Sequence, residues 1–431
     1  MDHHIDETCT LTLDGHEYTL PVRTGSMGDR VIDISGLRAA TGGVTTFDPS
    51  FANTSACESS ISWIDGENGR LTYRGIPIET LAAEKVSFVE TAWLLIFGSL
   101  PTRAEREHFT ELLTEHSPLH RSMDLHFNAF PPNGHPMAIM SSMINAMSTH
   151  DRPKITDDLS FTESAAKLLS KVRTIAAASY KASIGEPAIY PRYDLKYVEN
   201  FMHMMFSLPY RPFEADPIVA RALNLFFVLH ADHGQNCSTS TVRMVASSGA
   251  NLFTSCSAGV CALWGPRHGG ANVDAVLALQ KIKDSGLTPR QYVARAKDDG
   301  ERISGFGHRI YRNWDPRARI LRGACTELLD SLNRTDPLLD IARELEEAVL
   351  GDDYFVERRL FPNVDFYSGI VLRALNIPLN MFTVMFAIGR MPGWIAHWRE
   401  AKADPKGKIA RPRDLYVGAE DTAWVPRSQR G

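Results

Sequence analysis

From about residue 78 onward the chain reads as one helix after another, each with its own start and stop signals, and this punctuation constrains the fold most. Ser87 followed by Glu90 has the form of a capping box closed by Gly98, and Thr102 with Glu105 repeats it. Ser117-Pro118, Thr162 to Ile184 before Gly185, Thr288-Pro289, and Asp336-Pro337 to Leu350 before Gly351 read as further capped helices. More than a dozen helical segments are predicted, so the body is mainly α. Two hairpins precede it, one from Thr10 to Val22 around Asp14-Gly15, the other from Ile61 to Ile78 around Asp65 to Gly69. Phe366 to Leu375 and Pro378 to Ile388 are apolar nearly all round, as expected of helices buried in a large core or a subunit interface.

Charge and composition then remove whole classes of function. With 46 basic against 51 acidic residues the formal charge is −5, so no global field recruits nucleic acid or an anionic membrane. The longest apolar stretch, Leu379 to Ile388, is about half the ~20 residues that a spanning helix requires. The start, Met1 to Glu7, is acidic and polar, unlike a secretory signal, and a cytoplasmic protein is expected. Six cysteines without a Cys-x-x-Cys pair argue against a disulfide scaffold or structural zinc. The tail from Lys402 to Gly431, rich in Lys, Arg, Pro and Gly, is expected to wrap over a neighbour or to fray.

Four segments combine Gly, His, Arg and Asp in ways that helix packing does not demand. In His230-Ala231-Asp232-His233-Gly234-Gln235-Asn236, two histidines three apart share a helical face. A metal site, a helix end with a hydrogen-bonded histidine and a substrate-binding role all stay open, although the spacing departs from the zincin pattern. In Gly265 to Asn272, His268 precedes a helical run, where the positive dipole end favours neutral imidazole, and Arg267 beside it acts in the same direction. The glycines there permit close approach by a ligand or form a plain turn.

The third segment, Gly305 to Arg317, lacks the third glycine of a dinucleotide fingerprint and the Gly-Lys-Ser/Thr of a phosphate loop. Yet Arg302, Arg309, Arg312, Arg317, Arg319 and Arg322 crowd around it with Asp315 as the single acid between them. Guanidinium forks at that density suit phosphate or carboxylate recognition. In the fourth, Pro362 to Gly369, Asp365 enters a strongly apolar helix, and is either its amino-terminal cap or a base with a raised pKa. Neutral-capable histidines, a desolvated carboxylate and clustered arginines together suit proton abstraction beside a carbonyl of an anionic substrate. No Gly-x-Ser-x-Gly or activated cysteine motif supports an acyl-enzyme.

These ordered motifs, His-Ala-Asp-His-x-Gln-Asn, Gly-Pro-x-His-Gly-Gly-Ala-Asn, Gly-Phe-Gly-His-Arg with Asp-Pro-Arg, Pro-Asn-Val-Asp-Phe-Tyr-Ser-Gly and Ile-Ala-Arg-Pro-Arg, resemble citrate synthase over nearly the whole chain. The opening β element resembles the longer bacterial type. The resemblance implies a citrate synthase fold: an amino-terminal β-rich element (1–60), a large helical domain (61–270 and 376–431, the latter with a carboxy-terminal arm), and a small helical domain (271–375) closing over CoA. It implies a homodimer, often assembled into a homohexamer.

By the same resemblance, Asp365 removes a methyl proton from acetyl-CoA, His268 donates to the thioester oxygen and His308 polarises the ketone of oxaloacetate. His233, Arg317 and Arg390 would hold the oxaloacetate carboxylates, with Arg411 reaching in from the partner subunit. Gly305, Phe306, Gly307, Arg312 and Arg358 would contact CoA. Citrate and CoA are the implied products, with acetyl-CoA and oxaloacetate as the small-molecule partners, and no tightly bound cofactor, metal, nucleic acid or membrane. Two departures stand out: Gly234 where many relatives have Glu, and Arg267 at a position usually neutral. Both flank the implied pocket, which keeps a 2-methylcitrate or other alkylcitrate synthase, using a longer acyl-CoA, as the alternative.

Overall fold

The computed structural model describes residues 7–151, 155–333 and 336–430; the acidic start read above lies, apart from Glu7, outside the described residues. Residues up to Glu58 together with Arg411 onward form one compact unit, and Ser59–Ala410 form the other.

In the first unit, strands Glu7–Leu13 and His16–Thr24 pair antiparallel with Leu13 opposite His16, so Asp14-Gly15 is the whole turn. Both turn residues have positive φ, 51° and 78°, the two-residue geometry that matches strand twist. A third strand, Arg30–Ile32, joins the edge of His16–Thr24, a strand the alternation does not announce. Residues 411–426 have no regular structure and are exposed.

The second unit is helical apart from a small sheet of Ser62–Asp65, Arg70–Tyr73 and Ile76–Pro77, which contains the expected hairpin. Its caps form as the local sequence dictates. Ser87 with Glu90 and Thr102 with Glu105 make reciprocal capping boxes for the Phe88–Phe97 and Arg103–Glu115 helices, and Gly98 ends the first with φ 101°. Thr288 caps Pro289–Asp299 and Asp336 caps Pro337–Leu350.

Two starts differ from expectation. Ser117 begins no helix: it is buried and its hydroxyl donates to the Leu113 carbonyl, while the next helix opens at Arg121 under His120. The long helix begins at Asp158, ahead of Thr162, because Asp157 accepts from the Ser160 amide at 2.8 Å.

At the centre lies the Phe382–Ala403 helix, buried continuously from Phe382 to Trp398. It packs on the Phe88–Phe97, Pro217–His230, Cys237–Ser247 and Leu252–Leu263 helices. Encirclement explains its lack of a polar face. The second apolar helix, Val364–Ala374, lies against Pro316–Ser331 and Ala271–Ser285. Among the described residues, no helix is long and apolar enough to cross a membrane.

Candidate active site

His230 ends the Pro217–His230 helix with its ring wholly buried, Nδ1 donating to the Phe226 carbonyl at 2.7 Å and the ring stacked on Phe226. Of the roles left open for it, the hydrogen-bonded helix end is the one the geometry supports. His233, three residues on, lies 3.1 Å through Nε2 from the Tyr311 hydroxyl, with its ring 5.4 Å from that of His308. Burial, and then the charge of Arg317, hold both His230 and His233 well below the usual histidine pKa. Gly234 has φ +57°, a backbone conformation in which a side chain would be strained.

His268 is neutral as expected, but burial, not a helix end, is the main cause. Its Nε2 accepts from the Ser238 amide (3.3 Å) in the first turn of the Cys237–Ser247 helix and lies 2.8 Å from the Ser238 hydroxyl. A backbone amide can only donate, so the ring proton sits on Nδ1. Burial, reinforced by Arg390, pushes the pKa down to about 4. Arg267 is exposed and is not the cation responsible. The neighbouring glycines accommodate protein: a Cβ on Gly269 would stand 2.3 Å from the Leu263 carbonyl oxygen.

His308 has the opposite tautomer. Its Nδ1 accepts from the amides of Ile310 (3.0 Å) and Tyr311 (3.2 Å), leaving Nε2 as the N–H. Burial, followed by Arg317, sets its pKa at about 4 too. Just beyond, Asp315 caps the Pro316–Ser331 helix through the Arg317 amide and also takes both Nε (3.0 Å) and NH2 (2.8 Å) of the Arg317 guanidinium. The pair is almost fully buried. Asp315 further accepts from the Val364 amide, tying the third segment to the fourth.

A second tie is the loop itself. Gly305 and Gly307 have φ of +89° and +79°; the Gly305 carbonyl accepts from the Asn363 amide, and Gly307 donates to Phe361 while accepting from Asn363 Nδ2. Phe306 is buried against Phe366, with ring centroids 4.7 Å apart. At the head of the Val364–Ala374 helix the cap is Asn363, whose side chain accepts from the Asp365 amide. Asp365 itself is therefore not the cap, and among the described residues its carboxylate accepts no hydrogen bond. Desolvation raises its pKa to about 6 against the pull of Arg317 and Arg390.

Arg390, buried in the central helix, donates Nε to the His230 carbonyl at 2.6 Å and has no carboxylate partner among the described residues. Desolvation lowers it to about 10, still a cation at neutral pH. Its field reaches Asp365, His268 and His233, and that of Arg317 reaches Asp365, His308 and His233. Four of the expected residues thus lie in the field of two buried cations, themselves expected residues.

Of the remaining expected residues, Arg312 and Arg358 lie outside that cluster. Arg312 is exposed; Arg358 is exposed and spent on Tyr354, donating to its carbonyl and stacking 3.8 Å over its ring. Arg411 lies in the irregular carboxy-terminal segment. Sequence reasoning missed Tyr311, Ser238 and Asn363; only Asn363, set before an apolar run as a cap, carried a local signal.

Among the described residues no three His, Cys, Asp or Glu side chains converge as metal ligands. A concavity of about 740 Å³ near Phe161, Trp398 and Arg399 shares no residue with the cluster and contains no histidine.

Comparison with known proteins agrees with this arrangement. Residues 50–413 match the family described as "Citrate synthase, C-terminal domain". Citrate synthase 1 of Mycobacterium tuberculosis is 49% identical over 424 residues, covering 97% of this chain and 98% of that protein. The crystal structure of the Pyrobaculum aerophilum citrate synthase superposes with a TM-score of 0.80 at 32% identity, over 95% of this chain and 97% of that one. The Thermoplasma acidophilum citrate synthase, in a ternary complex with carboxymethyl coenzyme A and oxaloacetate, gives 0.80 at 27% identity, over 88% and 98%. With the sequence, the fold and the clustered residues in agreement, the chain belongs to the citrate synthase family of enzymes.

Proposed function

We propose that the protein condenses acetyl-CoA with oxaloacetate and water to citrate and CoA, the entry step of the tricarboxylic acid cycle. The observation that carries this reading is the freedom of Asp365: among the described residues its carboxylate accepts no hydrogen bond, its pKa is raised to about 6, and it lies in the field of the same Arg317 and Arg390 that act on His308 and His268, neutral histidines that each present one N–H. Asp365 takes a methyl proton while His268 Nδ1–H stabilises the developing enolate oxygen. The enol carbon attacks the ketone, whose oxygen is polarised by His308 Nε2–H, and water hydrolyses the resulting citryl-CoA to citrate and CoA.

Arg390 binds an oxaloacetate carboxylate, helped by His233 and by the part of the Arg317 fork that Asp315 leaves open. Arg411 of a second subunit completes that pocket, in a homodimer or a homohexamer. The loop Gly305 to Gly307 offers backbone to CoA, since Phe306 is turned inward, with Arg312 at the rim and Arg358 as a lesser contact. Residues 271–375 act as the small domain that closes over CoA, and the enzyme works in the cytoplasm.

The test is CoA release by the purified protein with oxaloacetate, given acetyl-CoA or propionyl-CoA separately, in buffer containing chelator. Fast release with acetyl-CoA supports the proposal. Release with propionyl-CoA alone overturns the substrate, and no release with either overturns the activity.

A further inference from the structure

Asp232 stands between the two histidines of the first motif, yet the chemistry proposed above gives it nothing to do. It is fully buried, and a buried carboxylate needs partners. Ser62 from the small hairpin donates to Oδ2 at 2.5 Å, the Gly234 amide donates to the same oxygen at 3.2 Å, and His397 Nε2 lies 3.2 Å from Oδ1. The far side of His397 is fixed as well. Its Nδ1 accepts from Gln235 Nε2 and from Arg243, each at 3.3 Å, which leaves the ring N–H at Nε2, toward Asp232. Arg243 is itself paired with Glu400 at 2.8 Å.

The central helix meets this turn in register. Arg390, Gly393 and His397 fall on one helical face, spaced by three and four residues. Arg390 donates to the His230 carbonyl, Gly393 donates its amide to the Ala231 carbonyl, and His397 faces Asp232. Gly393 has to be glycine for this approach: a Cβ would stand 2.4 Å from both the Ala231 oxygen and Asp232 Oδ1. Three successive residues of the turn are thus matched to three residues of one helix face, immediately before His233.

Replacing a buried carboxylate and its partner with apolar side chains of similar volume is often neutral or favourable to stability, so packing alone gives no reason for such a pair here. Holding a turn in one conformation does.

We propose that Asp232 and His397 are positioning residues, a buried pair that fixes the 230–234 turn so that the His233 ring and the Arg390 guanidinium address the same oxo-acid carboxylates. The inference rests on the oxaloacetate reading of that pocket. Neither residue touches substrate; both act through His233 and Arg390.

The experiment compares His397→Leu and His397→Gln with wild type, measuring KM for oxaloacetate, KM for acetyl-CoA and kcat separately. A misplacement of about 1 Å costs roughly 10²-fold, so His397→Leu is expected to raise the oxaloacetate KM at least about tenfold, with the acetyl-CoA KM within about twofold. His397→Gln, which keeps an N–H donor of similar reach, is expected to recover most of the loss. Should His397→Leu not fold, Ser62→Ala loosens Asp232 from the opposite side and is expected to raise the same KM several-fold. Both KM values and kcat deteriorating together, or no rescue by glutamine, would overturn the positioning role. Wild-type protein releasing no CoA with oxaloacetate would instead overturn the pocket's reading, before any variant is compared.

Discussion

Two helix amino ends in this molecule each bring an aspartate into the field of the buried Arg317, and they treat it in opposite ways. At the head of Pro316–Ser331, Asp315 is the cap: it takes the Arg317 amide, the Arg317 fork and the Val364 amide. At the head of Val364–Ala374, Asn363 is the cap, so Asp365, two residues later, is relieved of that duty and accepts no hydrogen bond among the described residues. Desolvation then decides its protonation, up to about 6. The lesson is that a carboxylate is left free of a structural bond when a neighbour does its structural work. Asp315 stabilises; Asp365 is held in an unfavourable state that chemistry can use.

Removing the proposed base is the largest expected break in this comparison. Asp365→Asn should lower turnover by about 10²–10⁴-fold and abolish exchange of acetyl-CoA methyl protons into solvent. Exchange persisting at the wild-type rate would remove Asp365 from that role. In wild type, the acid limb of kcat should fall near pH 6, well above the pH at which either histidine would gain a proton. Stability should move the other way. The folded pKa lies above the ordinary 3.8, so the ionised carboxylate burdens the native state at neutral pH, and proton uptake relieves it as pH falls from about 6 toward 4. Asp365→Asn is therefore expected to raise Tm at pH 7–8, by a margin that shrinks toward pH 4.

Asp315→Asn should do the reverse. It keeps the cap but leaves Arg317 buried without its charge partner, which typically costs about 3–5 kcal/mol, read from urea unfolding. Equal responses of the two aspartates would erase the distinction drawn here. A third helix end extends it: the first-turn Ser238 amide of Cys237–Ser247 fixes the His268 tautomer, and His268→Ala should cost about 10²–10³-fold in kcat with the fold intact. Smallest is Asn363→Ala, at about 1 kcal/mol for the lost cap, with some activity lost because Asn363 also holds the Gly307 carbonyl.

How far the sequence reached follows from the range of each interaction. Capping boxes at Ser87 and Thr102, the Asp14-Gly15 turn and the Thr288 and Asp336 caps involve partners two or three residues apart, so they were legible. Ser117 was misread because its hydroxyl is claimed from the other direction, by Leu113 in the helix that precedes it.

The four segments and their residue types were likewise written in the chain, and with them the family. Only the tertiary structure decided what each group does. Whether Asp365 caps or waits as a base depends on Asn363 and on how completely neighbouring helices strip it of water. Which nitrogen of His268 bears the proton depends on the Ser238 amide, and the fate of Asp232 on Ser62 and His397. Caps and turns are local hydrogen bonds that a short stretch of sequence encodes; desolvation and pairing are set by segments that meet only when the chain is folded.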